Sequence, residues 1–210
     1  MFGEAWGIAT WIGVITGLLG VAIAVQQSMS AQAARRQLKE IRWDDIARGA
    51  EWIARRIRRR NFDLLVTMSP GGTLLASYMM AKDDQFPSLC VLNSFPTENE
   101  AAWLANHADD DCEIVRTDRW LYVIPRALLR GNSKKVAFVD IAVQTGSTQE
   151  VIRKKFLEAG FDKANLFWAA LCCTKVAREA DRAPDLFWKE IADTDMYYPW
   201  GKVSGGRYYA

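Results

Sequence analysis

The sequence predicts an α/β fold, a mostly parallel sheet flanked by helices, preceded by one transmembrane helix. Two observations lead to this prediction. After residue 60, short apolar segments alternate with helix-like segments, which is typical of a parallel sheet covered on both faces. Near the start, residues 5–25 contain no charged side chain. The 210 residues, half of them apolar, suffice for one such domain and an appendage.

The uncharged run at residues 5–25 has two interpretations, a membrane anchor or a cleaved signal peptide. As a helix it would extend over roughly 30 Å, the thickness of a bilayer core. Ala31-Gln32-Ala33 fits a signal-peptide cleavage site, but only Glu4 and no basic residue precedes the run, which is also long for a signal peptide. We therefore predict an anchor over residues 1–27 and a linker helix over residues 28–42.

The charges around this run predict its orientation. Four basic residues follow it, Arg35, Arg36, Lys39 and Arg42. The positive-inside rule then predicts a single-pass membrane protein with its C-terminal domain in the cytoplasm. Gly13 and Gly17 have the GxxxG spacing that permits close helix pairing, so a homo-oligomer is compatible with the sequence, as is a protein partner.

Composition argues against several classes of site. The 27 basic and 25 acidic residues nearly balance, so nucleic acid is not an expected partner. The four cysteines lack metal-ligand spacing, and a single histidine, His107, excludes a His-rich metal site. The acidic run at residues 109–111 fits either Mg²⁺ binding or a solvated loop, and solvated loops are commoner. We predict no metal-ligating residue.

A first helix is predicted after the linker. Apolar residues recur at helical spacing over residues 43–60, which indicates an amphipathic helix packed on the domain. Arginines between residues 55 and 60 lie largely on its other side. They fit either a surface for anionic lipid or nucleic acid, or a solvated helix end favoured by the helix dipole.

Strand-like and helix-like segments then alternate to the end of the domain. Strands are predicted at residues 62–68, 88–93, 112–116, 120–125, 135–140 and 165–173. A Ser-Pro-Gly-Gly turn precedes a helix that begins at about Thr73, and a second helix is predicted from Ser147 to about Ala159. Both glycine-bearing turns follow strands, at the sheet edge where ligands of such folds bind.

The second turn has the composition of a phosphate-binding loop. Its residues are Gln144, Thr145, Gly146, Ser147 and Thr148. Gly146 permits a tight turn, and hydroxyls together with free amides at a helix start hold phosphate well. Ser147 and Glu150 also fit a capping box, so a well-capped helix start is the alternative. Asp140, at the end of the preceding strand, favours a ligand because a carboxylate accepts hydrogen bonds from ribose hydroxyls.

A strand, the acid Asp140 and then T-G-S-T resemble the signature of the type I phosphoribosyltransferases, and the resemblance extends over roughly residues 43–210. It implies that Asp140 is the first of two ribose-binding acids and the catalytic residue. It also implies that residues 144–148 hold a 5′-phosphate. The ligand would be phosphoribosyl pyrophosphate or a nucleotide, and Mg²⁺ would accompany phosphoribosyl pyrophosphate.

Two further segments extend the resemblance. Ser69, Pro70, Gly71 and Gly72 are similar to the family's pyrophosphate loop, with Pro70 where a basic residue is common. The segment "MYYPWGK" resembles the hood of xanthine- and guanine-type members, which implies that Tyr198 or Trp200 stacks on a purine. Residues 116–126 fall where the family has a loop over the active site.

Ile141 stands where the family has its second acid. Its presence removes charge-assisted hydrogen bonds of about 1.5–3 kcal/mol each and one anion near the cationic reaction centre. We therefore expect a membrane-anchored phosphoribosyltransferase-like protein that binds a phosphoribosyl compound or nucleotide as a sensor or effector, with weakened or lost transfer. By analogy of architecture, bacterial defence is one setting. The alternatives are an active divergent purine-type enzyme using Mg²⁺ and a non-enzymatic membrane scaffold.

Overall fold

A computed structural model of the chain describes residues 26–27, 29, 40–81, 86–106, 111–192, 196–204 and 207–209. The chain divides into two units, Met1–Glu40 and Ile41–Ala210, and the elements below belong to the second. The predicted anchor at residues 5–25 and nearly all of the predicted linker helix lie outside the described residues. Within the described ranges, no helix combines the length and apolar character needed to cross a bilayer.

The second unit contains helices and strands in alternation. The helices are α1 (Trp43–Arg58), α2 (Pro70–Met80), α3 (Glu100–Asn106), α4 (Arg126–Leu129), α5 (Ser147–Glu158) and α6 (Lys175–Glu179). The strands are β1 (Leu64–Thr67), β2 (Ser88–Val91), β3 (Asn93–Pro96), β4 (Cys112–Arg116), β5 (Trp120–Pro125), β6 (Val136–Val143), β7 (Leu166–Thr174), β8 (Leu186–Ile191), β9 (Met196–Tyr198), β10 (Gly201–Ser204) and β11 (Arg207–Tyr209).

The central sheet has the strand order β2-β1-β6-β7-β8, and every neighbouring pair is parallel. All nine residues of β7 are buried, as expected for a strand covered on both faces. Apolar side chains of α1 and α2 pack on one face, and those of α5 pack on the other. The predicted α/β fold with a mostly parallel sheet is confirmed.

Two predicted strands lie outside the central sheet. β4 and β5 form an antiparallel hairpin that continues into β3, in the order β3-β5-β4. Only residues 117–119 separate β4 from β5, whereas a parallel pair needs a crossover of about a dozen residues or more, so a hairpin is the available pairing. β8 and the antiparallel β9-β10-β11 sheet were not predicted as strands.

Helix α2 begins earlier than predicted. Pro70 is its first residue, and Ser69 caps it by accepting a hydrogen bond from the Gly72 amide at 2.9 Å. Proline suits this position because its fixed φ is helical and its missing N–H would have no helical partner. The Ser-Pro-Gly-Gly segment is therefore the first turn of a helix, and the prediction of a helix beginning at Thr73 is wrong.

Strand register sets the position of Asp140. Thr67, the last residue of β1, pairs with Val139, so Asp140 is the first residue of β6 beyond the end of β1. Side chains alternate along a strand, which places Asp140 and Ile141 on opposite faces of the sheet. Ile141 joins Val139 in the core under α1 and α2. Asp140 points to the other face, and its carboxylate nevertheless reaches the Ser69 hydroxyl at the start of α2.

Candidate functional site

A cavity of about 600 Å³ lies at the carboxyl ends of β1 and β6. Its walls are formed by residues 68–70, 94, 117–120, 122, 140–149, 168 and 198. The structure therefore brings together Asp140, the predicted phosphate loop, the Ser69–Pro70 segment and Tyr198 around one space. Gly71, Gly72 and Trp200, which were also predicted as site residues, are not among the lining residues.

Asp140 is held by two hydrogen bonds. The Ser69 hydroxyl donates to Asp140 Oδ1 at 2.6 Å, and the Ile141 amide donates to the same oxygen at 2.7 Å. The Ser69 hydroxyl thus caps α2 and orients the acid at once. Neither hydrogen bond uses Oδ2, so this oxygen can accept a hydrogen bond from a ligand hydroxyl.

The environment of Asp140 changes its acidity. Burial raises the pKa of this carboxyl to about 6, and the hydrogen bonds from Ser69 and Ile141 limit the rise by favouring the ionised form. A ligand that donates further hydrogen bonds to the carboxylate would favour ionisation further. A raised pKa in a cavity is a feature of functional sites, although buried structural acids share it.

The predicted phosphate loop has a conformation that only glycine accommodates. Gly146 has φ 74°, and a Cβ atom there would lie 2.4 Å from Arg182 Cβ and 2.5 Å from the Arg182 carbonyl oxygen. Arg182 is itself fixed by an ion pair with Glu150, 2.9 Å from Nε to Oε2. The loop is therefore braced by the connection between α6 and β8.

The start of α5 keeps donors available for an anion. Gly146 is the N-cap residue and has no side chain to cap the helix, and the Ser147 amide donates to Thr145 Oγ1 at the long distance of 3.5 Å. The capping box that Ser147 and Glu150 would fit, the alternative to a phosphate loop, is not formed, because Ser147 is already the first helical residue and Glu150 pairs with Arg182. The hydroxyls of Thr145 and Ser147 share one hydrogen bond at 3.0 Å beside these amides, so one of the two hydroxyl hydrogens is left for a ligand. This cluster of N–H and O–H donors at the positive end of a helix suits a phosphate.

The predicted pyrophosphate loop is less suited to its ligand. Pro70 has no N–H, and the Gly72 N–H is already used by Ser69. The two glycines instead permit close packing, because a Cβ at Gly72 would lie 2.6 Å from the Val139 carbonyl oxygen. Ser69 and Pro70 reach the cavity, but the segment offers few donors to a second phosphate group.

Ile141 is a packing residue in this arrangement. It is 4% exposed, and a Cβ at Gly71 would lie 2.6 Å from its Cγ2 atom, so α2 rests directly on it. A carboxylate in this position would be buried among the apolar side chains of the core, which is costly. The isoleucine therefore agrees with the close approach of α2 to β6.

The two predicted hood residues have different positions. Tyr198 is 6% exposed and lines the cavity. Trp200 stacks on Tyr198, with ring centroids 5.0 Å apart and ring planes 5° apart. Tyr198 is thus the candidate for contact with a flat ligand group, and Trp200 supports it.

The β4–β5 turn adds site residues that the sequence did not single out. Thr117, Asp118 and Arg119 line the cavity, as do Ser94 of β3 and the buried Gln149 of α5. Gln149 Oε1 has no hydrogen-bond partner within the described residues. The sequence carries a signal for this turn, because residues 116–126 fall where the family that the chain resembles has a loop over the active site. A single sequence does not show which side chains of that loop face the ligand.

The described residues contain no group of three His, Cys, Asp or Glu side chains able to hold a metal ion. Mg²⁺ is commonly bound by one or two carboxylates together with substrate phosphates. Asp140 and Asp118 are carboxylates of the cavity wall, and Asp111 is engaged by Arg130 at 3.0 Å. The residues present fit a Mg²⁺ ion that enters with a phosphorylated ligand, with Asp140 or Asp118 as its protein contact.

Comparison with known proteins identifies the fold. The purine phosphoribosyltransferase from Pyrococcus horikoshii superposes with a TM-score of 0.53 at 17% identity, over 79% of this chain and 96% of that one. The Helicobacter pylori xanthine-guanine-hypoxanthine phosphoribosyltransferase gives 0.50 at 16% identity, over 77% and 90%. The described domain therefore has the type I phosphoribosyltransferase fold.

A third structure of this fold is a hypothetical protein from Neisseria gonorrhoeae with bound ppGpp. It superposes with a TM-score of 0.51 at 21% identity, over 77% of this chain and 89% of that one. No protein-family model matches the sequence, and no curated protein is significantly similar to it.

Replacement of Asp140 by Asn should change how stability depends on pH. Below its unfolded pKa of 3.8 the carboxyl is protonated in both states, but between 3.8 and about 6 the unfolded chain loses the proton first. Wild-type stability should therefore fall relative to Asp140→Asn as the pH rises from about 4 to about 7, by roughly 3 kcal/mol at most. Urea unfolding of both proteins across this range measures the difference. Two parallel stability curves would contradict the raised pKa.

Proposed function

We propose that the domain binds a phosphoribosyl compound or a nucleotide in this cavity and acts as a sensor or effector whose transferase activity is weakened or lost. The observation that carries the proposal is the placement of Asp140 and the α5 start on one cavity wall. A phosphate at Thr145–Thr148 and a ribose at Asp140 would occupy neighbouring positions. The ppGpp in the Neisseria gonorrhoeae relative supports a phosphorylated nucleotide as the ligand class.

Loss of transfer is supported by the groups that surround the reaction centre. Ribosyl transfer passes through a cationic centre that a nearby anion stabilises. In this chain one acid, Asp140, stands where the family has two. The second position is occupied by Ile141, which is buried against Gly71. The first turn of α2 also offers few donors to a pyrophosphate leaving group, because Pro70 has no N–H and the Gly72 N–H is used by Ser69. Both the formation of the cationic centre and the departure of pyrophosphate would therefore be slow.

We also propose that residues 5–25 anchor the protein in a membrane, with the domain on the cytoplasmic side. The proposal rests on the uncharged run and on the basic residues that follow it. An anchored nucleotide-binding domain would suit an effector that acts on the bilayer when its ligand appears. Bacterial defence is one setting in which such an architecture would be useful.

Ligand binding should raise the melting temperature of the full chain. A ligand at a hundred times its dissociation constant adds about 2.7 kcal/mol of stability, enough for a shift of a few degrees. We expect such a shift with a purine mononucleotide, or with phosphoribosyl pyrophosphate and Mg²⁺, measured by differential scanning fluorimetry.

Two variants test whether this shift arises at the proposed loop. Thr145→Val and Ser147→Ala remove hydroxyl donors and should reduce it. Ser133→Ala is the matched control, because Ser133 is exposed in the turn that precedes β6, at the opposite edge of the sheet. The absence of a shift with every compound would favour a non-enzymatic scaffold.

The purified protein should release little or no pyrophosphate when it is given phosphoribosyl pyrophosphate, Mg²⁺ and each common purine or pyrimidine base. The physical reasons are that Asp140 stands alone where the family has a pair of acids and that the segment at residues 69–72 offers few donors to pyrophosphate. A coupled pyrophosphate assay measures the rate. Base-dependent release that disappears in Asp140→Asn would instead establish the alternative, a divergent purine-type phosphoribosyltransferase.

Removal of residues 1–27 should release the protein from membranes. We expect the full chain to sediment with the membrane fraction, to resist an alkaline wash and to dissolve in detergent, whereas the shortened chain should remain in the supernatant. If the protein is an effector acting through the bilayer, its toxicity should be lost in the shortened chain. A full chain that is found in the supernatant after lysis would contradict the anchor.

A further inference from the structure

Three aromatic side chains connect the cavity wall with the start of α1. Tyr198 lines the cavity and stacks on Trp200, with ring centroids 5.0 Å apart. Trp200 in turn contacts Trp43, at a centroid distance of 5.6 Å and an interplanar angle of 55°. We call Tyr198, Trp200 and Trp43 the aromatic series. It runs from the ligand cavity to the first residue of α1.

The backbone follows the same route. The Ile41 amide donates a hydrogen bond to the Tyr197 carbonyl oxygen at 2.7 Å. Ile41 is 1% exposed and belongs to the same apolar core as Met196 and Tyr198. The chain entering α1 is therefore attached to β9 by a backbone hydrogen bond as well as by side-chain contacts.

Trp43 is not required to start the helix that it begins. The Arg42 amide donates to Asp45 Oδ2 at 3.1 Å, which satisfies a free donor at the helix start without the indole. The Trp43 side chain is nevertheless 49% exposed. Its aromatic contact is with Trp200, so the indole covers the outer side of the residue that supports the cavity wall.

We propose that Trp43 and Trp200 are positioning residues for Tyr198, and that they couple occupancy of the cavity to the segment entering α1. This inference rests on the proposed function and concerns the regulation of the same site. The near-parallel Trp200 ring fixes the plane in which Tyr198 can meet a flat ligand group. The Tyr198 hydroxyl, which donates to Met196 Sδ at 3.3 Å, holds the other end of the ring.

The aromatic series gives a physical route between the ligand and the start of α1. A ligand that reorients or fixes Tyr198 changes the Trp200 contact, and this change reaches Trp43 and, through the hydrogen bond to β9, Ile41. Coupling between two sites is reciprocal, so a change at Trp43 must also alter ligand affinity. The coupling can therefore be measured either as an effect of the ligand on the segment entering α1 or as an effect of a Trp43 substitution on ligand affinity.

The first test measures ligand affinity in the full chain by isothermal titration calorimetry, with guanosine 5′-monophosphate and with phosphoribosyl pyrophosphate plus Mg²⁺ as probes. Trp43→Ala should weaken binding about two- to tenfold, the range expected for loss of one aromatic contact. Trp43→Phe keeps a ring and should restore most of the affinity. Trp52→Ala, a tryptophan of the same helix outside the aromatic series, should leave affinity unchanged.

A purely structural role would give a different pattern. Trp43→Ala would then lower the melting temperature while the dissociation constant stayed at the wild-type value, and that result would overturn the proposal. If wild-type protein bound neither probe, the proposed ligand class would fail, and the coupling would be decided by a measurement without ligand.

That measurement is a double-mutant cycle on melting temperature. Trp43→Ala and Tyr198→Leu should be non-additive, because both changes act on Trp200. The non-additivity should disappear when Trp200→Ala is present in all four proteins. Tyr198→Phe retains the ring and should fold more readily than Tyr198→Leu. In the Tyr198→Phe protein, Trp43→Ala should change the melting temperature as much as it does in wild-type protein. Additive changes in the Trp43 and Tyr198 cycle would show that the aromatic series transmits nothing.

Discussion

The hydrogen bond between Ser69 and Asp140 is the contact on which the arrangement of the site depends. One hydroxyl accepts from the Gly72 amide and donates to the carboxylate, so the start of α2 is fixed relative to the middle of β6. This distance is available only because Gly72 has no side chain, since a Cβ would meet the Val139 carbonyl oxygen at 2.6 Å. The acid therefore reaches the cavity in a defined orientation.

The close approach of α2 to β6 also explains why Ile141 occurs together with Gly71 and Gly72. Alternation along β6 turns residue 141 toward α2, where Gly71 leaves room for a branched apolar side chain. An acid there would have to be buried among apolar side chains under α2, which is costly. The isoleucine at position 141 and the tight packing of α2 on β6 are thus two aspects of one arrangement.

Much of this fold was predictable because its signals are local. The buried runs of β1, β6 and β7 and the glycine turn at Gly146 have strong sequence patterns, and Asp140 is placed by its position before that turn. The capping box at Ser147 and Glu150 failed because Arg182, distant in sequence, engages Glu150. The contribution of residues 117–119 to the cavity depends on how the β3-β5-β4 sheet packs against the rest of the domain. The spacing of residues along the chain does not predict this packing.

The charges around the cavity favour a ligand with few phosphates. Among the lining residues of the described chain, Arg119 is the one cation, and Asp118 and Asp140 are the acids. The α5 start supplies neutral N–H and O–H donors, which suffice for a single phosphate. A second phosphate group would have to rely on Arg119 or on Mg²⁺. If the domain has the proposed function, slow transfer is an advantage. Occupancy of the cavity then depends on the concentration of the ligand and not on how fast the ligand is consumed.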